Sequence, residues 1–523
     1  MGVALAAGAC SVEDGAIAPI DAPSSGIEIR PDAPGNTRMF AFDAGETVET
    51  FASVGGHFVV HYTRNGADAV PPADADTSGV PDYVELVAST YEAVRDHYSS
   101  AGFLEPVSDA ALADNGGDGK FDVYLVDFAG QGDGHYQTEG CQKSVCTGFM
   151  TQENDFKAYG YPSLQVAVRT VASHEYFHAI QAAYDADQGA VLAEGTATWG
   201  TETFDATLKD FEGQVSGYMK NTSRPLDEPL GGAVDTFSYG TAIWFWFLEE
   251  RYAPGLVKGL IERTKDGANG VADPQWFEVL DDHLKAGAGT SFADAFVEFS
   301  TWNLFTGKHA DAAQGYAAGA QYPSPTMEAV TAPYQDDALR VYHASTQYLR
   351  APADGRAAMG AALVSKASGD TDGLVLLAAV EKSSAYAVTK LDSLDGAATV
   401  DTTGADAVVL AIVNTNMTGE SKRPALCLGS PEEITACKAS LAMPTGTGGA
   451  GGSAASTTGA GGGGSDGDSS GGCSCSVGAE SVDSPWIAAA AALALASVGR
   501  RARRRGRPSR LLAARPATRA TTI

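Results

Sequence analysis

The chain is poor in positive charge. It carries 35 Lys and Arg against 65 Asp and Glu, for a formal net charge of −30. Many of those cations are bunched near the C-terminus, at Arg500, Arg501, Arg503, Arg504, Arg505, Arg507 and Arg510. The rest of the chain is therefore more acidic than the total indicates. An acidic surface repels phosphate, which excludes nucleic acid as a partner. It suits a solvated, exported protein and is compatible with calcium binding. Cysteine is also scarce, at seven. Cys141 and Cys146 are close in sequence, as are Cys427 and Cys437. Neither pair has the CxxC spacing of a structural zinc site, so each is expected to close a short disulfide in an oxidising compartment. Long apolar runs are missing too. The longest, Pro485–Gly499, would rise only about 22 Å as a helix, short of the roughly 20 residues that a bilayer asks for. Flanking arginines can snorkel, however, so it is expected to be a transmembrane segment with the tail on the cytoplasmic side.

What is present centres on His174-Glu175-Tyr176-Phe177-His178. Residues four apart share a helix face, so both imidazoles can meet one ion, and Glu175 can reach a water on that ion. Apolar residues at helical spacing (Val168, Val171, Phe177, Ile180, Tyr184) surround the triad, and neither Pro nor Gly interrupts Thr170 to Asp187. A metzincin would need Gly at 181 and His at 184, where Gln181 and Tyr184 stand. A glutamate from a following helix is the remaining common solution. Glu194 supplies it, with Glu202 as its rival. Thr198 or Glu202, on the same face as Glu194, could orient a ligand histidine from behind. Zn2+ held by His174, His178 and Glu194, with one position open, is the arrangement of a zinc hydrolase. Glu175 is then the general base. Tyr239 is the candidate oxyanion donor, with core packing as its other reading.

A second metal pattern runs from Asp74 to Glu85. Asp74, Asp76, Ser78, the Val80 carbonyl, Asp82 and Glu85 fall at the ligand positions of an EF-hand loop, with Gly79 at its sharp turn, and imply Ca2+ in a structural role. Residues 114–122 repeat the pattern in part, although Leu125 stands where the closing glutamate belongs. His57 and His61 share a strand face but lie too far apart along it to bind one ion, so packing is expected of them.

With 523 residues, 44% of them hydrophobic, the chain can furnish two or three domains with real cores. Residues 1–35 read as a signal remnant and linker. Residues 36–330 read as an α+β domain: an N-terminal sheet, the HExxH helix and a mostly helical second half. That half includes an aromatic helix over Phe237–Tyr252 and helices over Pro274–Lys285 and Phe292–Leu304. Residues 331–445, with short Val/Leu/Ala/Tyr runs between Gly/Asp turns, suggest a small β-sandwich. Residues 446–472 are Gly/Ser-rich and form a flexible tether. Residues 473–507 combine Cys473 and Cys475, the apolar run and the arginine cluster; 508–523 are a disordered tail without further signal.

Three resemblances follow from these residues. Ala7-Gly8-Ala9-Cys10 resembles the cleavage box of a bacterial lipoprotein signal, which implies lipidation at Cys10, although Ala7 replaces the usual leucine and no basic stretch precedes it. The 473–507 pattern resembles the MYXO-CTERM sorting tail of myxobacterial surface proteins, which implies membrane retention and processing near Cys473 and Cys475. The segments His57–Tyr62, Ser78–Glu85, Gly117–Leu125, His174–Tyr184, Glu194–Glu202 and Tyr239–Tyr252 together resemble the MXAN-type family of secreted bacterial metalloproteases. They share the HExxH-plus-glutamate logic of thermolysin-like gluzincins. The resemblance covers roughly residues 40–310 and departs from the thermolysin pattern at Thr198, where aspartate is usual. It implies a monomeric, exported or surface-attached endopeptidase acting on protein or peptide. The competing expectation is a calcium-dependent adhesion protein whose zinc site is vestigial or structural.

Overall fold

The computed structural model describes residues 29–442 apart from 35, 37–39, 158, 187, 230–235, 266–275, 393 and 395–397. β1 (Val48–Ala52) pairs antiparallel with β2 (Phe58–Thr63). The chain then crosses through α1 (Asp82–Ser100) to β3 (Phe121–Val126), which lies parallel to β2. Helix α1 buries Tyr83, Val84, Val87, Tyr91, Val94 and Tyr98, a stripe at three- and four-residue spacing that faces the core. β4 (Gly134–Gln142) and β5 (Val145–Glu153) form a hairpin, with β5 parallel to β3. Cys141 and Cys146 stand opposite each other in its register and are disulfide-bonded. The sheet order β1-β2-β3-β5-β4 leaves β4 at the edge.

Helix α2 (Leu164–Tyr184) follows, capped by Ser163, whose hydroxyl accepts the Val166 N–H at 3.2 Å. It is buried on almost every face from Ala167 onward, as a helix at the centre of a domain must be. α3 (Ala190–Phe204) starts after Gly189, whose φ of +81° suits glycine. Then come α4 (Asp210–Met219), α5 (Thr236–Gly240), α6 (Ala242–Arg251), α7 (Leu256–Thr264), α8 (Trp276–Gly287) and α9 (Phe292–Trp302). The aromatic helix expected over Phe237–Tyr252 is thus two helices, broken at Thr241, whose hydroxyl bonds the Ser238 carbonyl. A Cβ on Gly195 would lie 2.5 Å from Thr241 Oγ1 and 2.6 Å from the Phe245 ring. Only glycine lets α3 and α6 pack that closely beside Glu194.

The C-terminal part is a two-sheet sandwich with a helix on one side. Its strands are β6 (Glu328–Ala329), β7 (Tyr334–Asp336), β8 (Ser345–Pro352), β9 (Ala358–Val364), β10 (Leu374–Lys382), β11 (Ala385–Lys390), β12 (Thr399–Asp401), β13 (Ala407–Asn414) and β14 (Ala425–Gly429). They form sheets β11-β10-β13-β8-β6 and β12-β9-β14-β7. Leu349, Leu376, Leu410, Leu363 and Leu426 fill the space between them. Helix α10 (Pro431–Ala442) packs Ile434 on the second sheet, to which the Cys427–Cys437 disulfide ties it. The other face of the first sheet belongs to the helical core: Tyr348, Leu377, Val409 and Ala411 pack there, and Tyr348 Oη donates to the Ser300 carbonyl at 2.7 Å. Residues on both sides of position 330 thus share one hydrophobic cluster.

The segment read as signal remnant and linker, residues 1–35, is described from residue 29 onward, and there it carries a buried anchor. Arg30 is 3% exposed and bonds Glu139 through Nε and Nη2, together with Asp109, Asp122 and Tyr124. A guanidinium needs such partners to leave water. Residues 446–523, Cys10, Cys473 and Cys475 lie outside the described residues. Among those described, no helix is long and apolar enough to cross a membrane.

Candidate metal centre

Helix α2 carries His174 and His178 one turn apart, and α3 brings Glu194 against them. Glu194 Oε2 lies 3.1 Å from His174 Nε2 and 3.6 Å from His178 Nε2. One ligand atom from each of the three falls within 4.8 Å of the others. A tetrahedral zinc with bonds near 2.1 Å separates its ligand atoms by about 3.4 Å, the spacing that these distances bracket. The three residues are 3–4% exposed. His178 Nε2 is buried without a hydrogen bond, which costs free energy unless a cation meets it. The donor set, two imidazoles and a carboxylate, fits zinc.

Burial works against charge on His178, but the Glu194 carboxylate overcomes it and leaves its pKa raised to about 9. Burial likewise works against charge on Glu194, yet the His178 charge and the His174 hydrogen bond hold it down at about 2. His178 and Glu194 thus stabilise each other's charged forms.

Glu175 is fully buried, and its Oε2 accepts the main-chain N–H of Tyr136 on edge strand β4 at 2.9 Å. The adjacent His135 is buried as well, and burial together with His178 lowers its pKa to about 4. Sequence reasoning passed over His135 because nothing in its spacing links it to HExxH. The Tyr239 ring centroid lies 5.6 Å from that of His174, and Tyr239 is 3% exposed.

Thr198 and Glu202 do not take the orienting role expected of them. Thr198 Oγ1 is buried and makes no hydrogen bond. Glu202 sits among the carboxylates of Glu212, Asp210 and Asp205, where burial and Glu212 push its pKa up to about 7. Besides Glu194, Gln181 is the side chain that bonds one of the two histidines. Its Oε1 lies 2.8 Å from His178 Nδ1, while its Nε2 donates to the Ala193 carbonyl and to Thr196 Oγ1. In the sequence this residue served only to exclude a metzincin.

The Asp74–Glu85 loop brings Asp74, Asp76 and Asp82 together with carboxylate oxygens within 4.8 Å of one another. Gly79 has φ +89°, and Asp74 accepts the Ser78 and Gly79 N–H groups. Ser78 Oγ bonds the Val80 carbonyl, and Glu85 is not among the converging groups. In the 114–122 loop two of the three acids are engaged with cations: Asp118 pairs with Lys120, and Asp122 with Arg30 and His61. His57 is exposed and bonds Glu92, whereas His61 is buried, bonds Asp122 and stacks on Tyr124.

No protein-family model and no curated protein matches this chain.

Proposed function

We propose that the protein is a zinc-dependent hydrolase acting on peptide bonds, with His174, His178 and Glu194 as the metal ligands. The observation that carries this reading is the convergence of three buried ligand atoms from two helices, with Glu175 next to the first of them. Zinc supplies Lewis acidity there, polarising a carbonyl and acidifying water. Glu175 takes the proton as the water oxygen attacks the carbonyl carbon, then delivers it to the nitrogen as the C–N bond breaks. The Tyr136 N–H holds that carboxylate in one orientation. Tyr239, packed beside His174, is the nearby hydroxyl for the developing oxyanion. We assign Asp74, Asp76 and Asp82 a structural Ca2+. Attachment at the cell surface is proposed on the tail sequence alone.

A second reading has one specific observation in its favour: Glu175 has no exposed surface. A closed structural ion in an adhesion protein accounts for that burial directly. Casein hydrolysis by the full-length protein, with and without a chelator, separates the two. Chelator-sensitive cleavage supports the hydrolase, and stoichiometric zinc without cleavage supports the structural ion.

A further inference from the structure

We infer that Gln181 is a positioning residue that holds His178 in its metal-binding tautomer and fixes it relative to Glu194. The inference rests on His174, His178 and Glu194 being metal ligands. Gln181 lies three residues after His178 on α2, so their side chains are neighbours. The orientation of its amide follows from its partners. One partner of Nε2 is the Ala193 carbonyl at 2.8 Å, which can only accept. The other is Thr196 Oγ1 at 2.7 Å, whose own hydrogen is spent on the Leu192 carbonyl at 2.8 Å. Both amide hydrogens are thereby used, and Oε1 must be the atom that faces His178 Nδ1 at 2.8 Å. An amide oxygen only accepts, so Nδ1 carries the proton. In the neutral ring the free lone pair then sits on Nε2, the atom that faces Glu194 and has no hydrogen bond of its own.

The same amide also joins the two ligand-bearing helices. Ala193 precedes Glu194 in α3, so one side chain ties His178 to the backbone beside the third ligand. Thr198 and Glu202 cannot substitute for it, because neither contacts a ligand histidine through a hydrogen bond. Groups in this position typically tune metal affinity 10–100-fold, because they fix both the tautomer and the ring orientation.

The test compares the full-length protein with Gln181→Met and Gln181→Glu. Zinc affinity is measured by chelator competition, and the visible absorption of the Co(II)-loaded proteins reports ligand geometry. Methionine keeps the volume and removes the acceptor, and is expected to weaken zinc roughly 10–100-fold and to alter the cobalt spectrum. Glutamate keeps an oxygen for Nδ1–H while losing both contacts to α3, and is expected to bind zinc more tightly than the methionine variant. Wild-type affinity and spectrum in Gln181→Met would overturn the inference while leaving the metal ligands intact. Glutamate no better than methionine would reduce Gln181 to a helix staple and overturn its acceptor role. A wild-type protein that binds no zinc would overturn the ligand assignment and this inference with it.

Discussion

Glu175 on α2 and Tyr136 on β4 are joined by a 2.9 Å hydrogen bond from the Tyr136 main-chain N–H to Glu175 Oε2. The bond crosses between the central helix and the edge strand, and it gives the carboxylate a fixed orientation beside His174. Glutamine has the same shape and can still accept that N–H, but it cannot take up a proton. Glu175→Gln is therefore expected to keep its metal and to lose hydrolysis by about 10²–10⁴-fold. Metal analysis beside a peptidase assay checks both halves, and an active variant would remove Glu175 from the role of base.

Tyr239→Phe separates oxyanion stabilisation from packing. The phenyl ring is retained beside His174, so the fold should survive. A lost oxyanion donor costs about 10²–10³-fold in kcat with KM little changed. Unchanged kcat would assign the residue to the core.

Arg30 places one guanidinium against Asp109, Asp122 and Glu139, all buried. Arg30→Met leaves these carboxylates without their cation and is expected to destabilise the protein by about 3–5 kcal/mol, read from urea unfolding. A loss near zero would mean that the segment is only laid on the surface.

His343 Nε2 lies 2.8 Å from Asp227 Oδ1, where the loop after α4 meets the approach to β8. Main-chain bonds from Leu226 to the Ala344 carbonyl and from Thr346 to the Thr222 carbonyl flank the pair. The hydrogen bond to Asp227 raises the His343 pKa above 6.5, with burial opposing it and the Asp227 charge adding to it. The folded state thus binds the proton more tightly than the unfolded one. Its contribution is complete below the unfolded pKa, near 6.5, and is lost as pH rises through the folded value. The stability that this pair contributes should therefore be highest below about pH 6 and fall as the pH rises above the ordinary histidine range. Asp227→Asn should flatten that part of the profile, and an unchanged profile would remove the pair from the account.

Calcium should raise the thermal midpoint of the full-length protein with half-saturation at about 0.1–1 mM, the range of extracellular sites. Asp74→Asn should abolish the rise without touching zinc content. No calcium response in wild type would leave the loop as a turn held by its own N–H groups.

How much of this could be read from the residues follows from the range of each interaction. The convergence of His174, His178 and Glu194 was legible because HExxH turns a helical period into a shared face, and Glu194 lies on the next helix. The cluster of Asp74, Asp76 and Asp82 was legible for the same reason, since its oxygens are local, whereas Glu85 stands outside it. Arg30 was not, because its carboxylate partners lie 79, 92 and 109 residues away. Gln181 was hidden because its meaning depends on Ala193 and Thr196 from another helix. Helix α10 was missed although its start is written locally. Ser430 Oγ accepts the Glu433 N–H, Glu433 answers to the Ser430 N–H, and Pro431 stands first in the helix. The break at Thr241 needed the tertiary structure.

The most direct test of the account is the zinc content of the purified full-length protein and of its His178→Ala and Glu194→Ala variants. The account predicts about one zinc per wild-type chain and a loss of at least tenfold in affinity in each variant. Wild-type protein without zinc, or variants that hold it as tightly as wild type, would contradict it.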